Sequence, residues 1–388
     1  MPFPLFHQRV ASGCPLTHNL EWWSHHVTQE GEHTNVLRWL LFKLRGSKFS
    51  VIVASAAVTM SLVNAVTAES LNRADVSIRY FVGVNACICL QLIFIHREDK
   101  LRRWLRLVIA QAHQEEADPS AAEESLTLLS RRARRGRLMR RFFVLHAITT
   151  EVTFVYTLGI WAPGWLKRSG GEELWKEWAR WTVLSLQGYG LMAGLASVYT
   201  FLPLVLQVNM ACADLFCTLG RKLEVAPCTR TIAASEATLL SACVLADECI
   251  SDAIAPVVFA SLIMPLISLV QALSGAVDSL DALGTAPLFL TVTAPLYLAG
   301  DMVASARHQL VRRAGAGPWL NEPVGQRRLR LHVMLAASGR GALLRQQFYF
   351  FLRCKGVGGL DRRGLALVLR SWFSFLQAIL NLRRRQDG

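Results

Sequence analysis

Apolar and charged positions separate into blocks along this chain. Seven blocks carry roughly twenty predominantly apolar residues, the length that crosses a bilayer as a helix. They are Phe49–Ala68, Val76–Ile95, Phe142–Ala162, Thr182–Val208, Ala253–Leu273, Ala286–Ala304 and Leu365–Leu382. The third closes on Pro163-Gly164, a turn signal. The fourth is long and contains Pro203. It has the length to tilt, or to continue past the membrane as a cytosolic helix. Arg79 lies near the start of the second block, and the short seventh block carries Arg370. The pattern predicts an all-α membrane protein with seven transmembrane helices.

Charge gives these spans a direction. The segments 1–48, 96–141, 209–252 and 305–364 hold 32 Lys and Arg, whereas 69–75, 163–181, 274–285 and 383–388 hold eight. Arg79 and Arg370 complete the total of 42. Positive charge is retained on the cytoplasmic side of a membrane. The N-terminus is therefore expected in the cytoplasm and the C-terminus outside. The layout that follows begins with a cytoplasmic N-terminal segment, 1–48, and helices one to four over 49–208 with a cytosolic loop at 96–141. A cytosolic helical extension occupies 209–252, and helices five and six occupy 253–304. A cytosolic anchor segment at 305–364, a last helix at 365–382 and an extracellular tail at 383–388 complete it. The outer loops are short, which excludes a large extracellular ligand-binding domain. The first 35 residues lack the apolar core of a secretory signal, so no cleavable leader is expected.

Composition agrees with a chain that changes solvent along its length. It has 388 residues, 52% hydrophobic and 18% charged, against about a quarter charged in soluble domains. The net charge of +14 raises nucleic acid as a partner. The Arg clusters flank apolar blocks instead, so membrane lipid is the expected partner and nucleic acid is not. Of nine cysteines, Cys87 and Cys89 lie in the second span and the others in segments placed inside. No extracellular disulfide is expected. Cys212 and Cys217 have no partners at zinc spacing, and no metal site or cofactor is expected.

The cytosolic segments have helical spacing. Residues 97–114 mix Leu, Ile and Val with Arg, and 209–250 continues the fourth span with Leu215, Phe216, Leu219 and Leu223. Segment 326–353 places Leu329, Leu331, Leu335, Leu343, Leu344 and Phe348 at similar steps. Such stripes are buried either against one another or between subunits. Between them, 115–141 runs from acidic (Glu115 to Glu124) to basic (Arg131 to Arg141), the pattern of a solvated loop with inner-leaflet anchoring. Asp247, Glu248 and Asp252 could bind a cation, but are expected to be partnered by nearby Arg. Asp301 lies near the inner end of the sixth span, either in a water-filled path or snorkelling to the interface.

No enzyme signature is present, neither P-loop, His-Glu-x-x-His, Gly-x-Ser-x-Gly nor dinucleotide fingerprint; no catalytic residue is assigned. The seventh span carries the most chemistry. Gln377 and Asn381 stand one turn apart on one face, extended by Ser374 and Ser371. A narrow polar stripe on an apolar helix suits either a pore wall, where a conducted ion exchanges water for oxygen dipoles, or interhelical hydrogen bonding.

These features resemble the arthropod seven-helix chemoreceptor superfamily, the gustatory and odorant receptors. The length and the inverted seven-span topology are similar. Arg345–Phe348, Gly356–Arg363 and Leu365–Leu382 look like that family's final cytosolic helix, short turn and last helix. The gustatory branch ends in Thr-Tyr, an apolar run and Gln-Phe; here Ser371-Trp372 precedes Gln377-Ala378, one residue short and without the Phe. Phe373-Ser374-Phe375 and Ala213–Phe216 are more odorant-like, and 237–274 more gustatory.

The resemblance implies a non-selective cation channel opened by a small organic tastant or odorant. It implies a homotetramer, or a heterotetramer with related receptor subunits, in the plasma membrane of a sensory neuron. The cytosolic helices would form a shared anchor domain. Gln377 would line a central pore with Asn381, and Phe373, Leu376 and Leu380 would be gate candidates. The ligand site would lie in the outer halves of helices two, three, four and six, which offer Tyr80, Phe154, Tyr156, Trp161, Trp181, Tyr189, Met192 and Phe289. Singly, each of these aromatics also fits an interface belt or core packing. Trp175, Trp178 and Trp181 are expected at the outer headgroup level. A G-protein-coupled receptor would require an external N-terminus, against the charge count, and a secondary transporter would show internal repeats.

Overall fold

The computed structural model describes Thr17, Leu20, Glu21, Ser24, 47–66, 71–116, 174–273, 288–338, 353–354 and 358–387. The third apolar block, with Phe154, Tyr156 and Trp161, lies outside these residues, as do Leu343, Leu344 and Phe348. The described elements are α1 (Lys48–Val66), α2 (Leu71–His96), α3 (Glu98–Glu116), α4 (Leu174–Val225), α5 (Arg230–Leu273) and α6 (Ala294–Ala316). They continue with α7 (Val324–Ser338), β1 (Arg353–Cys354), β2 (Gly358–Gly359) and α8 (Arg362–Asp387). A π-helical turn, Phe289–Thr293, leads into α6. The only strands among the described residues are the two-residue pair β1 and β2, which runs antiparallel just before α8.

Five of these helices are long and apolar enough to cross a membrane: α2, α4, α5, α6 with its π turn, and α8. The apolar helix α1 is shorter. Two elements exceed a bilayer. At about 1.5 Å per residue, the 52 residues of α4 and the 44 of α5 measure roughly 78 and 66 Å, against a hydrocarbon core of about 30 Å. Both therefore project well beyond the bilayer. Segment 209–250 is not one continuation of the fourth span. It breaks at 226–229, where Pro227 stands, and its second half opens α5. Pro256 and Pro265 lie inside α5, and Pro203 inside α4.

The projecting ends pack into a lobe below the bundle. Leu101, Trp104, Leu105 and Val108 of α3, Leu215, Phe216, Leu219 and Leu223 of α4, Leu239, Cys249 and Ile250 of α5, and Leu310 and Ala314 of α6 are buried together. The stripes on α3 and α4 therefore find partners within one chain. The stripe on α7 turns differently. Val333, Ala336 and Ala337 are buried with Arg330, whereas Leu331 and Leu335 are exposed. Arg330 forces this choice, because its guanidinium is committed to the lobe interior. It bonds both carboxylate oxygens of Glu322, the Leu223 carbonyl at 2.5 Å, Ala226 O at 2.9 Å and Ala314 O at 3.0 Å. One side chain thus caps the carboxyl ends of α4 and α6, whose last carbonyls have no helical donors. The Cys228 N–H completes the Glu322 cage at 2.9 Å. Hydrogen bonds from Arg330 hold the Glu322 carboxyl below its usual range.

The carboxylates singled out by sequence are partnered. Arg97 bonds Asp252 at 2.5 Å and Lys100 bonds Glu248 at 3.1 Å, tying α2 and α3 to α5. Asp301 pairs with Arg362, at the start of α8, at 2.8 Å.

Candidate functional site

The seventh apolar block forms a longer helix than its hydropathy indicates, Arg362–Asp387 instead of Leu365–Leu382. Polar capping explains the earlier start: Asp361 Oδ1 accepts the Gly364 N–H at 2.7 Å. Leu360 packs on Gly300 of α6 so closely that a Cβ at Gly300 would collide with the Leu360 carbonyl.

Above this foot, α8 is nearly bare. Only 11% of its apolar stretch is buried within the chain, against 50–73% for the other four long apolar helices. Its two faces differ. Gly364 and Val368 are buried, and Leu365, Trp372, Leu376 and Ile379 half-buried, against the subunit. At 100° per residue, Arg370, Ser374, Gln377 and Asn381 lie within about 40° of the direction opposite Trp372, and all four are exposed. The polar stripe therefore points away from the chain that carries it. Left facing hydrocarbon, each unpaired amide would cost several kcal/mol. Among the gate candidates, Phe373 is 54% exposed. Leu376 and Leu380 are half-buried on the flank nearer the subunit, away from Gln377.

The aromatic residues proposed for ligand contact divide. Tyr80 of α2 is buried and donates its hydroxyl to Gln187 O of α4 at 2.6 Å. Gln187 donates in turn to Ser61 Oγ of α1 at 3.1 Å, and its own Oε1 is buried without a partner. Tyr189 shares a 2.9 Å hydrogen bond with Ser50 and meets Phe49 edge-on at 5.9 Å. Tyr80 and Tyr189 thus both face α1, drawn there by small residues: a Cβ at Gly190 would stand 3.0 Å from the Tyr80 hydroxyl and 3.3 Å from the Ala54 Cα. Trp181 and Met192 are exposed and Phe289 is half-buried.

The sequence reading missed Ser50, Ser61 and Gln187. Their signal was present, since a polar side chain inside an apolar span must find a partner. It missed the anchor cage of Arg330 and Glu322 as well, because an Arg in a basic segment has no visible reason to be buried.

In the lobe, Glu236 of α5 is 2% exposed and one of its oxygens has no partner. Burial pushes its carboxyl up to about 8, against the opposing pull of Arg307. Arg307 donates to Ala337 O at 3.0 Å and so ties α6 to α7. No group of three or more potential metal ligands occurs among the described residues.

No protein-family model and no curated protein sequence matches the chain. Solved structures do. The insect olfactory receptor OR5 from Machilis hrabei, in complex with eugenol, superposes over 95% of this chain and 98% of its own, with a TM-score of 0.68 at 11% identity. A second structure of that receptor covers 94% and 99% with a TM-score of 0.65 at 10% identity. The chain is thus an all-α membrane protein with the fold of the insect olfactory receptor OR5.

Proposed function

We propose that this chain is a chemosensory receptor of the arthropod seven-helix superfamily, acting as a ligand-gated, non-selective cation channel. The observation that carries this reading is the last helix. It is nearly bare within its own chain, and its Arg370, Ser374, Gln377 and Asn381 point outward together. Such a face needs water or polar partners. Four copies with their α8 helices around one axis supply both, and Gln377 and Asn381 then present amide oxygens to a passing cation. Phe373, beside that stripe, is the foremost gate candidate, because an apolar ring closes a pore by dewetting. The chain spans the membrane seven times with its N-terminus in the cytoplasm, and the lobe forms the shared anchor.

The ligand is a small organic molecule, as eugenol is for the receptor of the same fold. It enters among the second, third, fourth and sixth spans, whose outer halves carry Trp181, Met192 and Phe289. Tyr80 and Tyr189 form the wall toward α1. Segment 237–274 supports the gustatory branch, and Phe373-Ser374-Phe375 supports the odorant receptor as the alternative.

Expression of the full chain, with recording of cation current during application of a panel of small organic compounds, tests this function. Gln377→Ala is expected to alter unitary conductance or ion selectivity without abolishing surface expression. Unchanged permeation in that variant removes Gln377 from the pore. An epitope at the N-terminus is expected to be inaccessible on intact cells, and one at the C-terminus accessible.

A further inference from the structure

The helix proposed to line the pore touches its own subunit at few points, so each point has leverage over its orientation. At its foot, Arg362 pairs with Asp301 of α6. Ten residues on, about 15 Å up the helix, the indole N–H of Trp372 donates to the Leu262 carbonyl of α5 at 3.0 Å. The Trp372 ring also stands edge-on to Phe373, with centroids 5.2 Å apart.

The acceptor lies in an unusual stretch of backbone. Leu262 sits between Pro256 and Pro265 of α5. Proline lacks an N–H, so Pro265 leaves the carbonyl of Ser261, next to Leu262, without its i+4 donor, and α5 is predisposed to bend. The neighbouring Ser261 bonds Val258 O at 2.9 Å and the Thr293 hydroxyl at 2.5 Å. Thr293 closes the π-helical turn that leads into α6, another place where helices deform. Trp372 therefore attaches α8 beside the prolines of α5 and, through Ser261 and Thr293, near the π-helical turn before α6.

We propose that Trp372 is a positioning residue for the pore helix, its hydrogen bond to Leu262 O fixing the rotation of α8 so that Gln377 faces away from the subunit. This inference rests on the pore reading above. The geometry is direct, because Trp372 lies opposite the polar stripe. A rotation of about 100°, one residue's worth, would exchange Gln377 for Leu376 or Ala378. A bend in α5 or α6 moves Leu262 O and takes α8 with it through this bond.

The test uses the full chain in lipid vesicles and an isostere at position 372. Trp372→3-benzothienylalanine keeps the ring shape and its packing and deletes only the N–H; Trp372→Phe is the second variant. The readout is the rate at which a membrane-impermeant methanethiosulfonate reagent modifies Gln377→Cys relative to Leu376→Cys, read by mass spectrometry on the peptide concerned. With Trp372 in place, position 377 is expected to react faster than 376. In the isostere that ratio is expected to fall by about two- to tenfold, the range one neutral hydrogen bond supports. The ultraviolet Raman difference between the Trp372 chain and its Phe variant is expected to show a hydrogen-bonded indole. An unchanged ratio in the isostere, or a free indole N–H, overturns the role of Trp372. Failure of 377 to react faster than 376 in the chain with Trp372 overturns the pore reading itself.

Discussion

Replacing Arg330 by Met keeps most of the stem volume and removes the charged head from the lobe. The structure sets the cost. Arg330 is fully buried, and it bonds both oxygens of the buried Glu322 carboxylate together with the carbonyls of Leu223, Ala226 and Ala314. Breaking a buried ion pair from one side typically costs about 3–5 kcal/mol, and a buried carbonyl left bare about 1–3 kcal/mol. These costs overlap, so roughly 5 kcal/mol is expected in total. Thermal unfolding of the purified full chain, followed by light scattering, should show the loss as a drop of about 5–10 °C. Labelling of Cys228 adds local resolution: its thiol is buried and its N–H bonds Glu322, so an opened cage should expose it. Arg328→Met, at an exposed position on the same helix, should change stability by no more than about 0.5 kcal/mol. Arg330→Met with wild-type melting and wild-type Cys228 protection would refute the claim that this one guanidinium holds the lobe.

Glu236 makes lobe stability depend on pH. Its folded value of about 8 lies above its ordinary value of 4.5, so the folded chain binds the proton more tightly than the unfolded one. Its contribution is complete below about pH 4.5 and is lost as pH rises toward 8, by of order 4 kcal/mol. Glu236→Gln should flatten the melting temperature over that range, and a slope equal to wild type would contradict the assignment. Glu322 works in the opposite sense: its lowered carboxyl stabilises the fold above its ordinary range and stops doing so as pH falls. Gly300→Ala should displace the turn before α8, lowering surface expression and melting temperature; normal values for both would refute the close packing of Leu360 on Gly300.

Much of this protein is legible in one dimension. Apolar blocks of bilayer length are a property of solvent and chain, so the helices α1, α2, α4, α5, α6 and α8 are each visible in the sequence as an apolar block. Their ends were not. The break at 226–229, the start of α8 at Arg362 and the π turn at Phe289–Thr293 depend on caps and neighbours that hydropathy does not register. Periodicity found the buried face of α4, where Leu215, Phe216, Leu219 and Leu223 all lie inside. On α7 the inward face belongs to Arg330, and Leu331 and Leu335 are exposed on the single chain. The polar stripe of Gln377 and Asn381 was readable from its i, i+4 spacing alone. Its direction was not. Spacing places side chains relative to one another on a helix, and only the contacts of Trp372, Val368 and Leu360 set that helix's rotation against the rest of the chain. The same limit applied to Tyr80 and Tyr189, which the resemblance offers as ligand contacts and which the fold bonds to Gln187 of α4 and Ser50 of α1. Sequence determined which segments are apolar enough to leave water, because that free energy is local and sums along the chain. Tertiary structure alone decided which way Tyr80, Gln187, Tyr189 and Trp372 turned, because the partner of each lies more than a hundred residues away.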